Sequence, residues 1–279
     1  MNKVGILYQP LKESALPLAE KLVKFLETRN VSAWICSAWE VDEARAMLDG
    51  TDLILSIGGD GTILRAAQVV VPEPVPITGI NLGNLGFMTE LSVDEAEEKL
   101  AALIDGQGWI DERSLIEAEL TPAPEDNQQI RKFYALNDVV MAHGGVAKVV
   151  YIEASIDDEP LTSYKADGVI VATATGSTGY SMAAGGPVLH PQSENLLLVP
   201  ITPHISSSYS LVLPPAAEVK LDLKIAHIAT LSVDGHINQP LSSGAVVRVK
   251  HSRNTVRFLR IHPEASFYGS LEQRLKGKQ

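Results

Sequence analysis

The chain has 279 residues, 45% of them hydrophobic and 20% charged, which is enough apolar material for one large or two ordinary soluble domains. Its formal net charge of −11 argues against generic binding to nucleic acid or to an anionic membrane, because both need basic surface. Cys36 is the only cysteine, so an intramolecular disulfide and a cysteine-based zinc site are excluded. No segment has the apolar pattern of a secretory signal or a membrane helix, and we expect a cytoplasmic protein.

Short apolar strands and amphipathic helices alternate in the first part of the chain. Apolar runs predict strands at residues 4–8, 31–36, 53–57 and 76–80. Helical spacing of apolar residues predicts helices at residues 11–29 and 94–104. Such alternation is typical of an open parallel sheet that helices cover on both faces. The sequence therefore predicts a Rossmann-like α/β domain over residues 1–108.

The second part of the chain has a different apolar period. Apolar and charged residues alternate at residues 116–120 and again at 219–225, which is the period of a half-buried strand. A segment rich in Gly, Ser, Thr and Ala interrupts this pattern at residues 173–186. The sequence predicts a mostly antiparallel, sandwich-like β domain over residues 109–263. We expect the tail, residues 264–279, to pack back on the first domain.

A glycine-rich turn, Gly58-Gly-Asp-Gly-Thr62, follows the apolar strand at residues 53–57. Glycines let the backbone approach a ligand, and successive N–H groups at the carboxyl end of a strand can bind phosphate oxygens. A carboxylate among such amides needs a purpose, such as holding a metal or accepting a proton. The alternative is an ordinary Gly-Asp-Gly loop whose acid bonds its own backbone. The turn matches neither a GxGxxG fingerprint nor a Walker A loop.

A loop of small residues follows the predicted strand at residues 169–171. It carries hydroxyls that can bond a ribose, an amide or a phosphate, on Thr173, Thr175, Ser177, Thr178 and Ser181. Tyr180 is the only aromatic residue of the loop and could stack on a nucleobase. A tightly packed turn that simply needs small side chains explains the composition equally well.

Three further groups of polar residues have both a functional and an ordinary interpretation. Asn137-Asp138 lies inside an apolar run and could bind a vicinal diol, because a carboxylate accepts from both hydroxyls; a hairpin turn is equally compatible. Asp167 could orient a polar ligand group or cap a turn. Asp234-Gly-His236 has the form of an ordinary turn with one exposed imidazole. The seven histidines show no HxxxH-type spacing, so we expect no dedicated zinc site and no metal bound mainly by protein ligands.

Seven motifs along nearly the full chain resemble those of the NAD kinase family, in the same order and spacing. They are Gly58-Gly-Asp-Gly-Thr62, Asn81-Leu-Gly-Asn-Leu-Gly-Phe-Met-Thr-Glu90, Leu136-Asn-Asp-Val-Val140, Asp167-Gly168, Thr175-Gly-Ser-Thr-Gly-Tyr-Ser181, Gly185-Gly-Pro187 and Val233-Asp-Gly235. GGDGT alone is shared with diacylglycerol, sphingosine and 6-phosphofructokinase relatives, whereas the NLGF-type segment with the TGSTxYS loop is far more specific. The chain departs from the family at residues 203–212, which lack the usual arginine.

The resemblance implies phosphoryl transfer from ATP, another nucleotide or polyphosphate to the 2′-hydroxyl of the adenosine ribose of NAD, giving NADP. It makes Asp60 the catalytic base and brings Gly61 close to the ligand. Asn137 and Asp138 are similar to the pair that holds the adenosine ribose, and Asp167 to the acid at the nicotinamide end.

The resemblance also implies a wider set of binding residues. Those expected to contact NAD are Lys148 and Lys165 near the dinucleotide, Thr178, Gly179, Tyr180, Ser181, Met182 and Ala183 around the adenine, and His236 near the phosphates. We expect the donor phosphates at Gly58, Gly59, Gly61, Thr62 and Arg65.

Phosphoryl transfer of this kind needs Mg²⁺ to shield the donor phosphates, and we expect the donor to hold that ion. The resemblance further implies a homodimer or homotetramer. Two alternatives stay open: a GGDGT-type kinase acting on a lipid or sugar hydroxyl, and a non-catalytic sensor of NAD(H) or NADP(H). The TGSTGYS loop argues against the first alternative, and the intact Asp60 argues against the second.

Overall fold

The computed structural model describes residues 1–83, 86–144, 149–203, 209–225, 229–263 and 267–276. The chain divides into two compact units, one formed by Met1–Glu112 with Thr255–Gln279 and the other by Arg113–Asn254. The first unit therefore combines both ends of the chain. The domain limits expected from the sequence, at residues 108 and 263, remain a prediction.

The first part of the chain alternates strands and helices. Its elements are β1 (Lys3–Tyr8), α1 (Ala15–Thr28), β2 (Ser32–Ser37), α2 (Val41–Ala46), β3 (Leu53–Gly58), α3 (Asp60–Val70), β4 (Ile77–Asn81), β5 (Leu91–Ser92) and α4 (Ala96–Ile104). The helix predicted from residue 11 begins at Ala15, because Leu11 is 79% exposed and lies outside the apolar stripe. The sequence did not indicate α2 or β5, which are short.

The rest of the chain is mainly strand. Its elements are β6 (Trp109–Thr121), β7 (Arg131–Ala135), β8 (Asp138–His143), β9 (Val150–Ile156), β10 (Glu159–Ala166), β11 (Gly168–Ala172), α5 (Tyr180–Ala183), β12 (Leu196–Ile201), β13 (Leu211–Leu213), β14 (Glu218–Ile225), β15 (Ala229–Val233), β16 (Ile237–Leu241), β17 (Val246–Arg260) and α6 (Phe267–Lys276). Two 3₁₀ turns, Pro124–Asp126 and Thr175–Thr178, complete the list. Strand β15 begins at Ala229, and the preceding Ile228 lies outside the described residues.

The first unit is built on a parallel sheet. The order β2-β1-β3-β4 places β2 on one side of β1 and β3 on the other, so the chain reverses its direction across the sheet between β1 and β3. Phe258 of β17 pairs in parallel with Ile77 of β4. Helices α1 and α4 bury their apolar faces in one core with the sheet. Open α/β sheets bind ligands at the carboxyl ends of strands beside such a reversal.

The second unit is a sandwich of two antiparallel sheets. One has the order β10-β9-β14-β17, and the other β13-β12-β11-β8-β15-β16. Alternate apolar residues of both sheets meet in a single core, which explains the period of two in the sequence. The predicted fold class, an α/β part followed by an antiparallel β sandwich, is confirmed. In the described part of the chain no helix is long and apolar enough to span a membrane.

Candidate active site

The Gly58–Thr62 turn joins β3 to α3 at the point where the order of strands reverses. All six residues of β3 are buried, and Asp60 is the first residue of α3, with Gly59 as its N-cap. A Cβ on Gly58 would lie 2.1 Å from Oγ1 of Thr62, so this position requires glycine. A Cβ on Gly59 or Gly61 would meet nothing within 4 Å, which leaves the space above the turn open.

The amides at the N-terminus of α3 differ in whether they have a partner within the turn. The amide of Gly59 donates to Oγ1 of Thr62 at 3.4 Å, and the amide of Thr62 donates back to the carbonyl of Gly59 at 2.9 Å. The first amides of an α-helix have no acceptor within the helix, so those of Asp60 and Gly61 can bind an anion. The turn therefore has the geometry of a phosphate site.

The carboxylate of Asp60 is fixed by the loop that follows β4. Its Oδ2 accepts from the amide of Phe87 at 2.9 Å, and its Oδ1 accepts from the amide of Met88 at 3.0 Å. A Cβ on Gly86 would lie 2.2 Å from Oδ1, so only glycine lets the loop come this close. Amide donors on both oxygens fix the orientation of the carboxylate. Asn84 and Leu85 of the same motif lie outside the described residues.

Arg65 lies one and a half turns further along α3, stacked on Trp39. Its guanidinium carbon is 4.1 Å from the centre of the indole ring, which is 36% exposed and follows β2. Burial lowers the pKa of the Arg65 guanidinium. Among the described residues, no carboxylate lies within ion-pair distance of Arg65. A partly desolvated cation without an acidic partner is suited to binding an anion.

The second unit has a pocket of about 460 Å³ on the outer face of its second sheet. Its floor is formed by side chains of three neighbouring strands, Val140, Ala142, Thr230, Ser232 and Asn238. The remaining lining residues are Asn137, Asp138, His143, Tyr180, Asp234 and Gly235. The structure therefore brings the predicted Asn137, Asp138 and Tyr180 together around one cavity.

Asp234 organises the acidic end of this pocket. Its Oδ2 accepts from the amide of Leu136 at 2.9 Å, and its Oδ1 accepts from the amides of Asn137 and Asp138 at 2.7 and 3.2 Å. Asp138 is only 5% exposed, and burial together with the neighbouring Asp234 raises the pKa of Asp138 to about 7. The residues alone suggested an ordinary turn at Asp234; its carboxylate in fact positions the Asn137-Asp138 pair.

The small-residue loop packs tightly against that pair. Oγ1 of Thr173 donates to the carbonyl of Leu136 at 2.5 Å, and a Cβ on Gly176 would lie 2.1 Å from the carbonyl oxygen of Asn137. A Cβ on Gly179 would lie 3.5 Å from Nδ2 of Asn137 and 3.9 Å from Oδ2 of Asp138. The small side chains thus let the loop approach the polar end of the pocket closely.

The hydroxyls of the loop have different environments. Oγ of Ser177 donates to the carbonyl of Ala174 at 2.6 Å, and Oγ1 of Thr178 donates to the carbonyl of Thr175 at 3.3 Å. These bonds belong to the packed turn itself. Oγ of Ser181 is fully buried and has no hydrogen-bond partner among the described residues.

Tyr180 is the residue of α5 that lines the pocket, and its side chain is 48% exposed. Met182 is half-buried and Ala183 is exposed on the same short helix.

Four further residues predicted from the family resemblance are not among the described residues that line the pocket. Nζ of Lys165, on β10, lies 5.6 Å from the centre of the Tyr151 ring. A carboxyl oxygen of Asp167 is 3.9 Å from Nε2 of His143. The ring nitrogen Nδ1 of His236 is 3.0 Å from the carbonyl oxygen of Asp234. Lys148 lies outside the described residues, as do residues 204–208 of the segment that departs from the family pattern.

His143 lines the pocket although no spacing in the sequence indicated it as a functional residue. It ends β8, whereas Asp138 begins that strand, so the two titratable groups mark opposite ends of the pocket floor. Only the strand assignment and its register could have shown this. A search of the described residues finds no group of three or more His, Cys, Asp or Glu side chains able to hold a metal ion.

Two domain families match the sequence. The ATP-NAD kinase N-terminal domain matches residues 4–108, and the ATP-NAD kinase C-terminal domain matches residues 136–261. The chain belongs to the NAD kinase family. The NAD kinase of Dehalococcoides mccartyi strain BAV1 is 49% identical over 276 residues, which cover 99% of this chain and 96% of that protein. The NAD kinase of Chloroflexus aurantiacus strain J-10-fl is 40% identical over 276 residues, or 99% of each chain.

Solved structures of NAD(H) kinases share the fold. Yeast NADH kinase complexed with NADH superposes with a TM-score of 0.89 at 24% identity, over 99% of this chain and 88% of that one. An NAD kinase from Archaeoglobus fulgidus in complex with ATP superposes with a TM-score of 0.77 at 23% identity, over 99% of both chains. At this level of identity the likeness establishes the two-domain fold.

Proposed function

We propose that the protein transfers the terminal phosphoryl group of ATP, or of another nucleotide or polyphosphate, to the 2′-hydroxyl of the adenosine ribose of NAD, giving NADP. The observation that carries this proposal is the fixed carboxylate of Asp60 on an open turn at the N-terminus of α3. Membership of the NAD kinase family and the NAD kinase relatives at 49% and 40% identity support it.

Asp60 is the proposed general base. Phosphoryl transfer to an alcohol needs a group that accepts the hydroxyl proton while the oxygen attacks the phosphorus in line. Each oxygen of Asp60 accepts one amide hydrogen bond, which leaves a further lone pair on each for the ribose hydroxyl. A positioned base of this kind contributes about 10²–10⁴-fold to the rate.

The pocket of the second unit is the proposed site for the adenosine part of NAD. Asp138 can accept hydrogen bonds from ribose hydroxyls while Asn137 supplies an amide donor, and Tyr180 can stack on the base. The further proposed contacts to NAD are Gly61, Lys148, Lys165, Asp167, Thr178, Gly179, Ser181, Met182, Ala183 and His236. These contacts are what the family resemblance implies.

The donor phosphates are proposed to bind Gly58, Gly59, Gly61 and Thr62 through the backbone of the turn, with Arg65 as the nearby cation. A bound Mg²⁺ would shield the negative charge of those phosphates. The donor set fits an ion held mainly by phosphate oxygens and water, because Asp60 is the one carboxylate on the turn and its remaining lone pairs are assigned to the ribose hydroxyl in this proposal.

Three further properties are proposed with this function. The GGDGT turn relates the chain to the diacylglycerol, sphingosine and 6-phosphofructokinase superfamily. The protein acts in the cytoplasm, and it assembles as a homodimer or homotetramer, which light scattering coupled to size-exclusion chromatography would test. A GGDGT-type lipid or sugar kinase is disfavoured, because the TGSTGYS loop at residues 175–181 matches the pattern of the NAD kinase family.

The deciding experiment incubates the purified protein with NAD, ATP and Mg²⁺ and measures NADP with an NADP-specific dehydrogenase. Formation of NADP is the expected result. Binding of NAD by calorimetry without any NADP, with ATP or with polyphosphate as donor, would contradict the proposal and favour the non-catalytic sensor. Replacing NAD with sphingosine, diacylglycerol or fructose 6-phosphate tests the alternative kinases, with release of ADP from ATP as the readout.

A further inference from the structure

The loop that holds Asp60 is itself held by a buried arginine. Arg260, at the end of β17, is 6% exposed, and its NH1 donates to the carbonyl of Met88 at 2.7 Å. Met88 is the residue whose amide donates to Asp60. One residue therefore connects the guanidinium to the carboxylate, with a hydrogen bond on each side of its Cα.

Two acids fix the guanidinium of Arg260. Its Nε and NH2 both donate to Oδ2 of Asp111 at 3.2 Å, and its NH1 also donates to Oε2 of Glu90 at 3.3 Å. The other oxygen of Glu90 accepts from the amides of Ile261 and His262 at 2.9 and 2.8 Å. Each of the three guanidinium nitrogens of Arg260 therefore donates at least one hydrogen bond.

A second contact holds the other end of the short loop. NH1 of Arg274, on α6, donates to the carbonyl of Gly86 at 2.6 Å. The segment from Gly86 to Met88 is therefore bound at both ends by arginines from the C-terminal part of the chain. Its two inner amides, of Phe87 and Met88, are the ones that hold Asp60.

We propose that Arg260 is a positioning residue for Asp60, acting through the backbone of Met88, and that Arg274 supports the same segment through Gly86. This inference rests on the proposed function, in which Asp60 is the base. Burying an ion network gives little net stability compared with apolar packing, so stability alone does not account for Arg260. Displacing a catalytic group by about 1 Å can cost about 10²-fold in rate, so a fixed loop affects turnover directly.

The first test is Arg260→Lys. Lysine keeps the charge but cannot donate to Met88, Glu90 and Asp111 in one planar arrangement. We expect kcat to fall about tenfold or more while the Kd for NAD stays within about twofold. Hydrogen exchange should increase in the peptide covering residues 86–90 and stay unchanged in β3. An equal loss of kcat and of NAD affinity, or an increase in exchange throughout the first unit, would mean a merely structural role.

The second test compares two glycines of the same loop. Gly86→Ala would push a Cβ to within 2.2 Å of the Asp60 carboxylate, whereas Gly83→Ala would meet nothing within 4 Å. We expect kcat to fall about 100-fold in the first variant and to stay within about twofold in the second, with NAD affinity unchanged in both. Equal kcat values in the two variants would show that the position of residues 86–88 does not affect turnover, which would contradict the proposal.

Two controls keep the inference separable from the proposed function. If Arg260→Lys does not fold, Arg274→Gln tests the same loop from α6, with an expected severalfold loss of kcat and more exchange at residues 86–90. Asp60→Asn tests the base itself. Full turnover in Asp60→Asn would contradict the proposed base. Loss of turnover there, with unchanged kcat in both arginine variants, would contradict only the positioning role.

Discussion

Asp60 in the first unit and Asp138 in the second are both proposed to meet ribose hydroxyls, yet their surroundings are opposite. Asp60 is half-buried, and each carboxylate oxygen accepts a backbone amide. Asp138 is buried beside a second carboxylate, and the amides nearby donate to Asp234 instead. The same type of side chain is thus oriented by backbone amides in one unit, whereas burial and a neighbouring carboxylate raise its pKa in the other.

This contrast indicates different roles for the two carboxyl groups. A carboxylate that must take a proton during the reaction benefits from a fixed direction and from space beside it, which the open turn provides. A carboxyl group that recognises a diol can instead be shielded from water, because the ligand satisfies it when it binds. Substitutions at the two positions should therefore affect different kinetic parameters.

The largest effect is expected for Asp60→Asn. The amide cannot accept the hydroxyl proton, so kcat should fall about 10³-fold while the Kd for NAD changes less than about threefold. Steady-state NADP formation and calorimetric NAD titration measure the two quantities. A loss of NAD affinity as large as the loss of kcat would mean that Asp60 binds the substrate and does not act as base.

Asp138→Asn should show the reverse pattern. Loss of the ribose-accepting carboxylate should weaken NAD binding about 10–100-fold, since a hydrogen bond to a charged group contributes about 1.5–3 kcal/mol. The same change removes the buried like charge beside Asp234, so the free energy of unfolding at pH 8 should rise by roughly 2–4 kcal/mol. Urea denaturation measures the expected gain in stability, and calorimetric titration measures the expected loss of NAD affinity. If the variant is less stable than the parent at pH 8, the ionised Asp138 carboxylate stabilises the folded protein, and the prediction is wrong.

Stability should depend on pH through the same residue. The pKa of Asp138 is about 7 in the folded protein, above its ordinary value of 3.8. The folded state then binds the proton more tightly, so this contribution is fully present below about pH 4 and is lost as the pH rises through about 7. Urea midpoints should fall between pH 5.5 and pH 8 in the parent protein by more than in Asp138→Asn. Parallel curves for the two proteins would refute the assignment.

The smallest effect is expected for Arg65→Met. Methionine keeps an apolar side chain against Trp39 but removes the cation, so the KM for ATP should rise about fivefold with kcat nearly unchanged. Arg45→Met is the matched control, because Arg45 is an exposed arginine of the neighbouring helix that donates to the carbonyl of Gln68. Equal KM values for ATP in the two variants would show that Arg65 does not bind the donor.

The elements that could be predicted are those with a clear apolar pattern in their own sequence. Long apolar runs and a stripe such as Leu18, Leu22 and Leu26 predict β3 and α1, and the change of period predicts the β sandwich. Helix α2 has six residues and buries only Ala44, and β5 has two residues. Neither is long enough to produce a periodic pattern. Helix α3 begins at Asp60, inside the glycine-rich turn, and the capping bonds between Gly59 and Thr62 close its first turn.

The site was predictable only where a motif is continuous in sequence. The GGDGT turn and the Asn137-Asp138 pair are visible as residues, but the partners that place them are distant. Asp234 accepts amides 96–98 positions away along the chain, and Arg260 binds a carbonyl 172 positions away. Such bonds depend on which strands become neighbours, and a local pattern at Asp234-Gly235 indicates only a turn.

The most direct measurement identifies the hydroxyl that receives the phosphoryl group. Purified protein is incubated with NAD, ATP and Mg²⁺, and the product is examined by ³¹P NMR, beside Asp60→Asn under the same conditions. The predicted result is one new phosphomonoester on the 2′-oxygen of the adenosine ribose with the parent protein, and at most a trace with the variant. A phosphate on any other hydroxyl, no new phosphomonoester with the parent protein, or equal product from both proteins would contradict the proposed function and its base.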